Sequence, residues 1–199
     1  MTIREKMKNG MLYTDLGEGL DEERINCKEL LFDYNNTRPS QEAERKELLK
    51  KLLGSCGENI WIEPNLRMAY GKNTYIGENF YANFNLVVVD DIEVYIGDNV
   101  MIAPNVTITA TGHPVDPDLR KGGAQFSIPV KIGNDVWIGS NVVILPGITV
   151  GDNSVIGAGS VVTKDIPSNV VAVGNPCRVL REINERDKEY YYKNRKISE

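Results

Sequence analysis

The chain contains a single histidine, His113, in the run Thr111-Gly112-His113-Pro114. A neutral imidazole accepts a proton near neutral pH, so its natural chemistry is general-base catalysis. A lone histidine in an arbitrary protein is usually just a satisfied structural residue. This one closes a repeat unit and stands directly before a long irregular loop, where functional groups concentrate, and that place favours the catalytic role. Lys164, Arg178 and Arg181 lie near the C-terminal end of the repeats. By spacing alone they read as solvated charges; if they converge, they suit a phosphorylated ligand. Trp137 falls in an outward corner phase, as packing or as a ligand platform. Metal chemistry has no support: one histidine and three scattered cysteines, Cys27, Cys56 and Cys177, supply neither a zinc set nor a disulfide framework. Gly157-Ala158-Gly159 lacks the third glycine of a dinucleotide fingerprint and reads as two corner glycines.

The element that must position His113 is a repeat. From Ile132 the sequence aligns in sixes as IGNDVW, IGSNVV, ILPGIT, VGDNSV, IGAGSV and VTKDIP, and shorter runs start at Ile96 and Tyr70. Each unit supplies a short extended segment and a turn of Gly, Asn or Asp. The first and fifth residues share one side, because strand faces alternate with period two. Three units close one triangular coil, and stacked coils pair in parallel around an Ile/Val column. About six coils are expected over 60–173, within a solenoid spanning 58–176. An ordinary sandwich would repeat every 8 to 12 residues without a fixed Ile-Gly phase. The hand is not in the pattern; the general rule for parallel crossovers favours right-handed connections. Residues 114–131 break the repeat and read as a loop projecting from a corner.

Residues 1–57 read as helical. Ile3 and Met7 share a face, Asp21 is the expected cap of a second helix, and a third follows Pro39-Ser40 with a buried stripe of Leu48, Leu49, Leu52 and Leu53. A charged, tyrosine-rich helix over about 181–195, within a terminal unit 177–199, is expected to cover the other end. Lys and Arg total 23 against 28 Asp and Glu, which argues against a general polyanion binder. No apolar run approaches a membrane span, and the start MTIREKMKNG lacks signal-peptide character, so a soluble cytoplasmic protein is expected.

Several stretches, FYANFN, IGDNV, TGHPVDPDLR, WIGS, IGAGS, VTKDIP and the opening MLYTDLGEGL, resemble the hexapeptide-repeat acyltransferases, in the galactoside/maltose O-acetyltransferase branch. The resemblance runs over nearly the whole chain. It implies a mainly β fold, a left-handed parallel β-helix with an N-terminal helical segment, and a homotrimer with active sites between subunits. It implies acetyl-CoA as donor and a sugar hydroxyl as acceptor; the composition read above leaves no metal, nucleic acid or membrane partner expected. Carried over by motif, His113 is the base and Asn83 stabilises the transition state. Asp15, Arg24, Tyr81 and Asp91 match acceptor positions. Ser140, Ala158, Thr163, Lys164, Arg178 and Arg181 match positions that hold acetyl-CoA.

The sequence departs from the branch at two places, both on the acceptor side: Ala69 stands where a serine is usual and Gln125 where an apolar residue is usual. A non-sugar acceptor on the same scaffold is therefore the main alternative. A zinc hydratase of this architecture needs three histidines, which one per chain cannot supply, and a non-catalytic scaffold leaves His113 and the basic trio without a role.

Overall fold

The computed structural model describes residues 1–197; the repeats form a parallel β-solenoid of three faces and about six turns. The first face stacks Ser55–Cys56, Thr74–Ile76, Val94–Ile96, Val130–Ile132 and Thr149–Val150. The second stacks Ile60–Ile62, Phe80–Ala82, Met101–Ile102, Trp137–Ile138, Val155–Ile156 and Val170–Val173. Arg67–Met68, Val87–Val89, Thr107–Thr109, Val143–Ile144 and Val161–Val162 make the third. The chain visits the faces in this order, so the corners are of three kinds.

The hexapeptide phase explains the core. First positions Ile132, Ile138, Ile144, Val150, Ile156 and Val162 are all buried, and so are fifth positions Val136, Val142 and Ile148. Each such side chain contributes about 1.5–3 kcal/mol by leaving water. Ser154 and Ser160 also take inward fifth positions and satisfy their hydroxyls on the Pro167 and Gly157 carbonyls, at 2.9 and 2.6 Å. At the corners between the first and second faces, Asn79, Asn99 and Asp135 sit at φ of 54°, 57° and 57°. Asn and Asp tolerate that region better than other side chains. They also form a ladder: Asn79 Nδ2 donates to Asn99 Oδ1 at 3.0 Å, and Asn99 Nδ2 to Asp135 Oδ1 at 2.9 Å.

Three helices precede the solenoid: α1 (Ile3–Lys8), α2 (Leu20–Asn35) and α3 (Glu42–Leu52). Leu31, Tyr34, Leu49, Leu52 and Leu53 join the solenoid core, so α2 and α3 seal its first coil. Of the expected α3 stripe, only Leu48 stays half-exposed. Asp21 is not the cap of α2. The cap lies two residues earlier, at Gly19 with φ 80°, and the helix begins at Leu20, whose side chain is fully buried.

The 114–131 excursion carries one exposed turn of helix, α4 (Pro117–Lys121), then pairs Phe126–Ser127 with Thr111–Gly112 before rejoining the first face at Val130. Trp137 lies on a strand rather than at a corner, facing outward in register with Met101 and Val155. The expected C-terminal helix is corrected by the structure. Arg178–Glu182 is a strand antiparallel to Val170–Val173, because the open sheet edge offers backbone partners that outweigh local helix preference. Only α5 (Arg186–Glu189) is helical, and Tyr190–Tyr192 pairs with Arg195–Lys196 as a hairpin. Residues 198 and 199 of the expected terminal unit lie outside the described residues. Among the described residues no helix is long and apolar enough to cross a membrane.

Asp90, fully buried at the corner between the third and first faces, accepts the Ala69 and Tyr70 backbone N–H groups at 3.1 and 2.9 Å and the Thr74 hydroxyl at 2.9 Å. Burial outweighs these bonds and pushes its carboxyl up to about 6. The fold therefore binds the Asp90 proton more tightly than the unfolded chain, and this stabilisation, full below about pH 4, is lost as pH rises toward 6. Asp90→Asn keeps an acceptor for the backbone donors without the charge. Denaturant unfolding should show wild type losing up to about 3 kcal/mol relative to Asp90→Asn between pH 4 and pH 7. A constant difference over that range contradicts a proton held by burial.

Candidate functional site

His113 follows Thr111–Gly112 at the corner between the third and first faces. Its Nδ1 lies 2.8 Å from the Ala124 carbonyl oxygen. A carbonyl only accepts, so Nδ1 carries the hydrogen and Nε2 keeps its lone pair. The imidazole is thus oriented and set in the tautomer of a base whose second nitrogen takes the proton. Its ring is exposed on the surface of the single chain. Gly112, beside it, allows the loop to cross closely: a Cβ there would stand 2.8 Å from the Phe126 ring.

A polar cluster surrounds the base of the loop. Tyr13 and Gln125 exchange backbone hydrogen bonds of 3.0 and 2.9 Å, joining the N-terminal segment to the loop. Tyr13 Oη contacts Ser127 Oγ at 2.5 Å, and Ser127 Oγ contacts Thr111 Oγ1 at 2.8 Å. Arg24 Nη1 meets Asp15 Oδ2 at 2.9 Å and donates to Tyr70 Oη at 2.7 Å. Burial pushes the Tyr70 hydroxyl up to about 12, so it remains neutral. Asp91 is buried behind this group, and burial raises its carboxyl above the usual range; the neighbouring Thr111 hydroxyl opposes the rise and the Asp15 charge adds to it. Asp15, Arg24 and Asp91 of the expected acceptor set therefore lie in one corner region with His113, whereas Tyr81 stands on the second face. Thr163 and Lys164 lie on the same corner, exposed, just beyond Val161–Val162.

Asn83, Ser140 and Ala158 occupy a different corner, between the second and third faces. Asn83 Oδ1 accepts the Phe84 backbone N–H at 2.8 Å, which turns its Nδ2 outward as a donor. Gly139, next to Ser140, has no room for a side chain: a Cβ would approach the Ala158 nitrogen to 2.6 Å. Tyr81 faces outward from the second face, in register with Met101. Arg178 and Arg181 sit on the antiparallel strand that extends the second face. Arg178 Nη1 donates to the Cys177 carbonyl at 2.7 Å. Arg181 holds Asp187 through two contacts of 2.7 Å, and this pairing draws the Asp187 carboxyl down to about 2. The basic trio does not converge within the chain.

The full third face separates the His113 corner from the Asn83 corner. Along the axis each corner spans several coils, at roughly 4.8 Å per coil. His113 precedes the Val130–Ile132 coil and Lys164 follows the Thr149–Val150 coil, so one corner offers a track suited to a long extended ligand. Among the described residues no group of three or more His, Cys, Asp or Glu side chains is placed to hold a metal ion. Tyr13, Tyr70, Thr111 and Ser127 were not legible as site residues; no periodicity marks a contact between residue 13 and a loop more than a hundred residues later.

Residues 6–57 match the family model of the maltose acetyltransferase hexapeptide capping motif, and residues 129–164 that of the bacterial transferase hexapeptide, six repeats. Galactoside O-acetyltransferase of Escherichia coli (strain K12) is 58% identical over 197 residues, 99% of this chain and 97% of the relative. A solved galactoside acetyltransferase in complex with coenzyme A has a TM-score of 0.98 to this chain at 57% identity, with 100% of each chain covered. A hexapeptide-repeat-containing acetyltransferase from Vibrio cholerae O1 biovar eltor, complexed with acetyl coenzyme A, gives a TM-score of 0.86 at 33% identity and covers 93% of this chain and 100% of its own.

Because His113 is the only histidine, ¹⁵N labelling of that residue type yields one pair of ring signals without assignment. In the neutral form Nδ1 should show the protonated shift and Nε2 the unprotonated one. The opposite pattern, or a mixture of the two tautomers, contradicts the hydrogen bond to Ala124.

Proposed function

Since the chain belongs to the hexapeptide-repeat acyltransferases, in the galactoside/maltose O-acetyltransferase branch, we propose that His113 works as the base of a sugar O-acetylation. The protein is an acetyl-CoA-dependent sugar O-acetyltransferase. The observation that carries the mechanism is the Nδ1 hydrogen bond to Ala124, which leaves Nε2 free to take a proton. His113 Nε2 removes the acceptor's hydroxyl proton as that oxygen bonds to the thioester carbonyl carbon. Asn83 Nδ2 donates to the oxyanion that develops there. Collapse breaks the carbon–sulfur bond, and the imidazolium returns its proton to the leaving sulfur. No acetyl-enzyme forms. Such base catalysis is worth about 10²–10⁴-fold, and one oxyanion donor roughly 3–4 kcal/mol.

Asp15, Arg24, Tyr81 and Asp91 bind the sugar in this reading. Ser140, Ala158, Thr163 and Lys164 line the track of the donor, and Arg178 and Arg181 meet its phosphates. The separation of the His113 and Asn83 corners supports a homotrimer, its subunits the left-handed solenoids of the branch, in which the His113 corner of one copy faces the Asn83 corner of the next. Residues 1–57 then add Asp15 and Arg24 to the acceptor end of the solenoid 58–176. Dependence on acetyl-CoA supports a cytoplasmic location.

His113→Ala should lower turnover at least about a hundredfold with acetyl-CoA affinity little changed; near-normal turnover removes His113 from the reaction. Subunit mixing tests the shared site. Equal amounts of His113→Ala and Asn83→Ala chains, each nearly inactive alone, should regain about a quarter of wild-type activity after exchange, since roughly one interface in four then pairs two intact corners. No recovery after verified exchange assigns both residues to one chain's site.

A further inference from the structure

Gln125 is the one residue of the 114–125 stretch whose side chain is buried, 6% exposed, and the mechanism does not use it. Its Nε2 donates to Asp91 Oδ1 at 3.4 Å, and the Thr111 hydroxyl lies beside the same carboxylate. Its Oε1 receives no hydrogen bond from the described residues. No buried side-chain nitrogen or oxygen among them lacks a partner, so this oxygen opens to solvent. Asp91 Oδ2 is open by the same reasoning.

The register of the loop strand places these atoms beside the base. Thr111 pairs with Ser127 and Gly112 with Phe126; continuing that register one step beyond the ladder brings Gln125 opposite His113. The contact between the Thr111 and Ser127 hydroxyls shows that this pair shares a side. Alternation with period two puts Gln125 and His113 on that side as well. A carboxylate oxygen and an amide oxygen, both open and joined through the Gln125 amide, present two neighbouring acceptors. Hydroxyl groups on adjacent carbons are the complementary donors.

Building on the sugar-acetylation reading, we infer that Gln125 is a specificity-determining residue that selects acceptors with a vicinal diol, one hydroxyl donating to Asp91 Oδ2 and its neighbour to Gln125 Oε1. An apolar side chain here would leave Asp91 without its amide donor and the second hydroxyl without an acceptor. A site built to hydrogen-bond a hydroxyl discriminates strongly against the analogue that lacks it.

The test compares wild type and Gln125→Met on methyl β-galactoside, methyl β-glucoside and their monodeoxy derivatives, with acetyl-CoA as donor. In wild type, removing one hydroxyl other than the acetylated one should lower kcat/KM at least about tenfold for the preferred sugar. Gln125→Met should lower kcat/KM for the parent sugar by a similar factor, mostly through KM. It should leave the sensitive deoxy derivative within about twofold, and KM for acetyl-CoA unchanged. Equal loss on parent and deoxy sugars, or no loss on either, overturns the inference. If the variant does not fold, the wild-type series still decides: no deoxy position beyond the acetylated one costing more than twofold overturns it. A wild type that acetylates no sugar overturns the functional reading and this inference with it, whereas a sugar-active wild type with an unaltered Gln125→Met profile overturns this inference alone.

Discussion

A stacked prism cannot bring two of its own corners together. The inward Ile and Val residues, buried at every first position from Ile132 to Val162, lock each coil onto the next. Packing of that density does not bend to close an active site. His113 and Asn83 are therefore held apart by the width of the third face. In the proposed reading, what a flexible two-domain enzyme achieves by hinge closure falls to association between copies.

Within one corner the geometry is finer. The loop that interrupts the repeat returns as a strand, and its Ala124 carbonyl fixes the imidazole tautomer. The loop is in turn tied down by Tyr13, through two backbone hydrogen bonds and the hydroxyl contact to Ser127. The N-terminal segment thus has two tasks. Helices α2 and α3 seal the first coil, while Tyr13 is bonded to the loop and Asp15 and Arg24 pair beside Tyr70.

Much of this was legible in the sequence because the repeat has a strict period. The six-residue phase marks inward positions one by one, and even Ser154 and Ser160 at fifth positions are buried as that phase requires. The corner asparagines likewise sit at positive φ where the turns demand it. Motif resemblance named His113 and Asn83, but periodicity could not say that they stand on different corners; that follows only from which face each strand joins. Contacts distant in sequence, such as Tyr13 to Ser127 and Gln125 to Asp91, leave no local signature. The C-terminal segment went the other way. Its charges suggest a helix, yet Arg178–Glu182 pairs with the last parallel strand because an unfilled sheet edge is a stronger local influence than helix propensity.

The dependence of catalysis on two corners is tested most directly by measuring acetyl transfer per subunit alongside molecular mass as the protein is diluted or driven to the monomer. Activity should follow the trimer fraction and vanish with it, while the monomer keeps its solenoid by circular dichroism. A folded monomer that transfers acetyl groups at the full rate would contradict a site shared between copies.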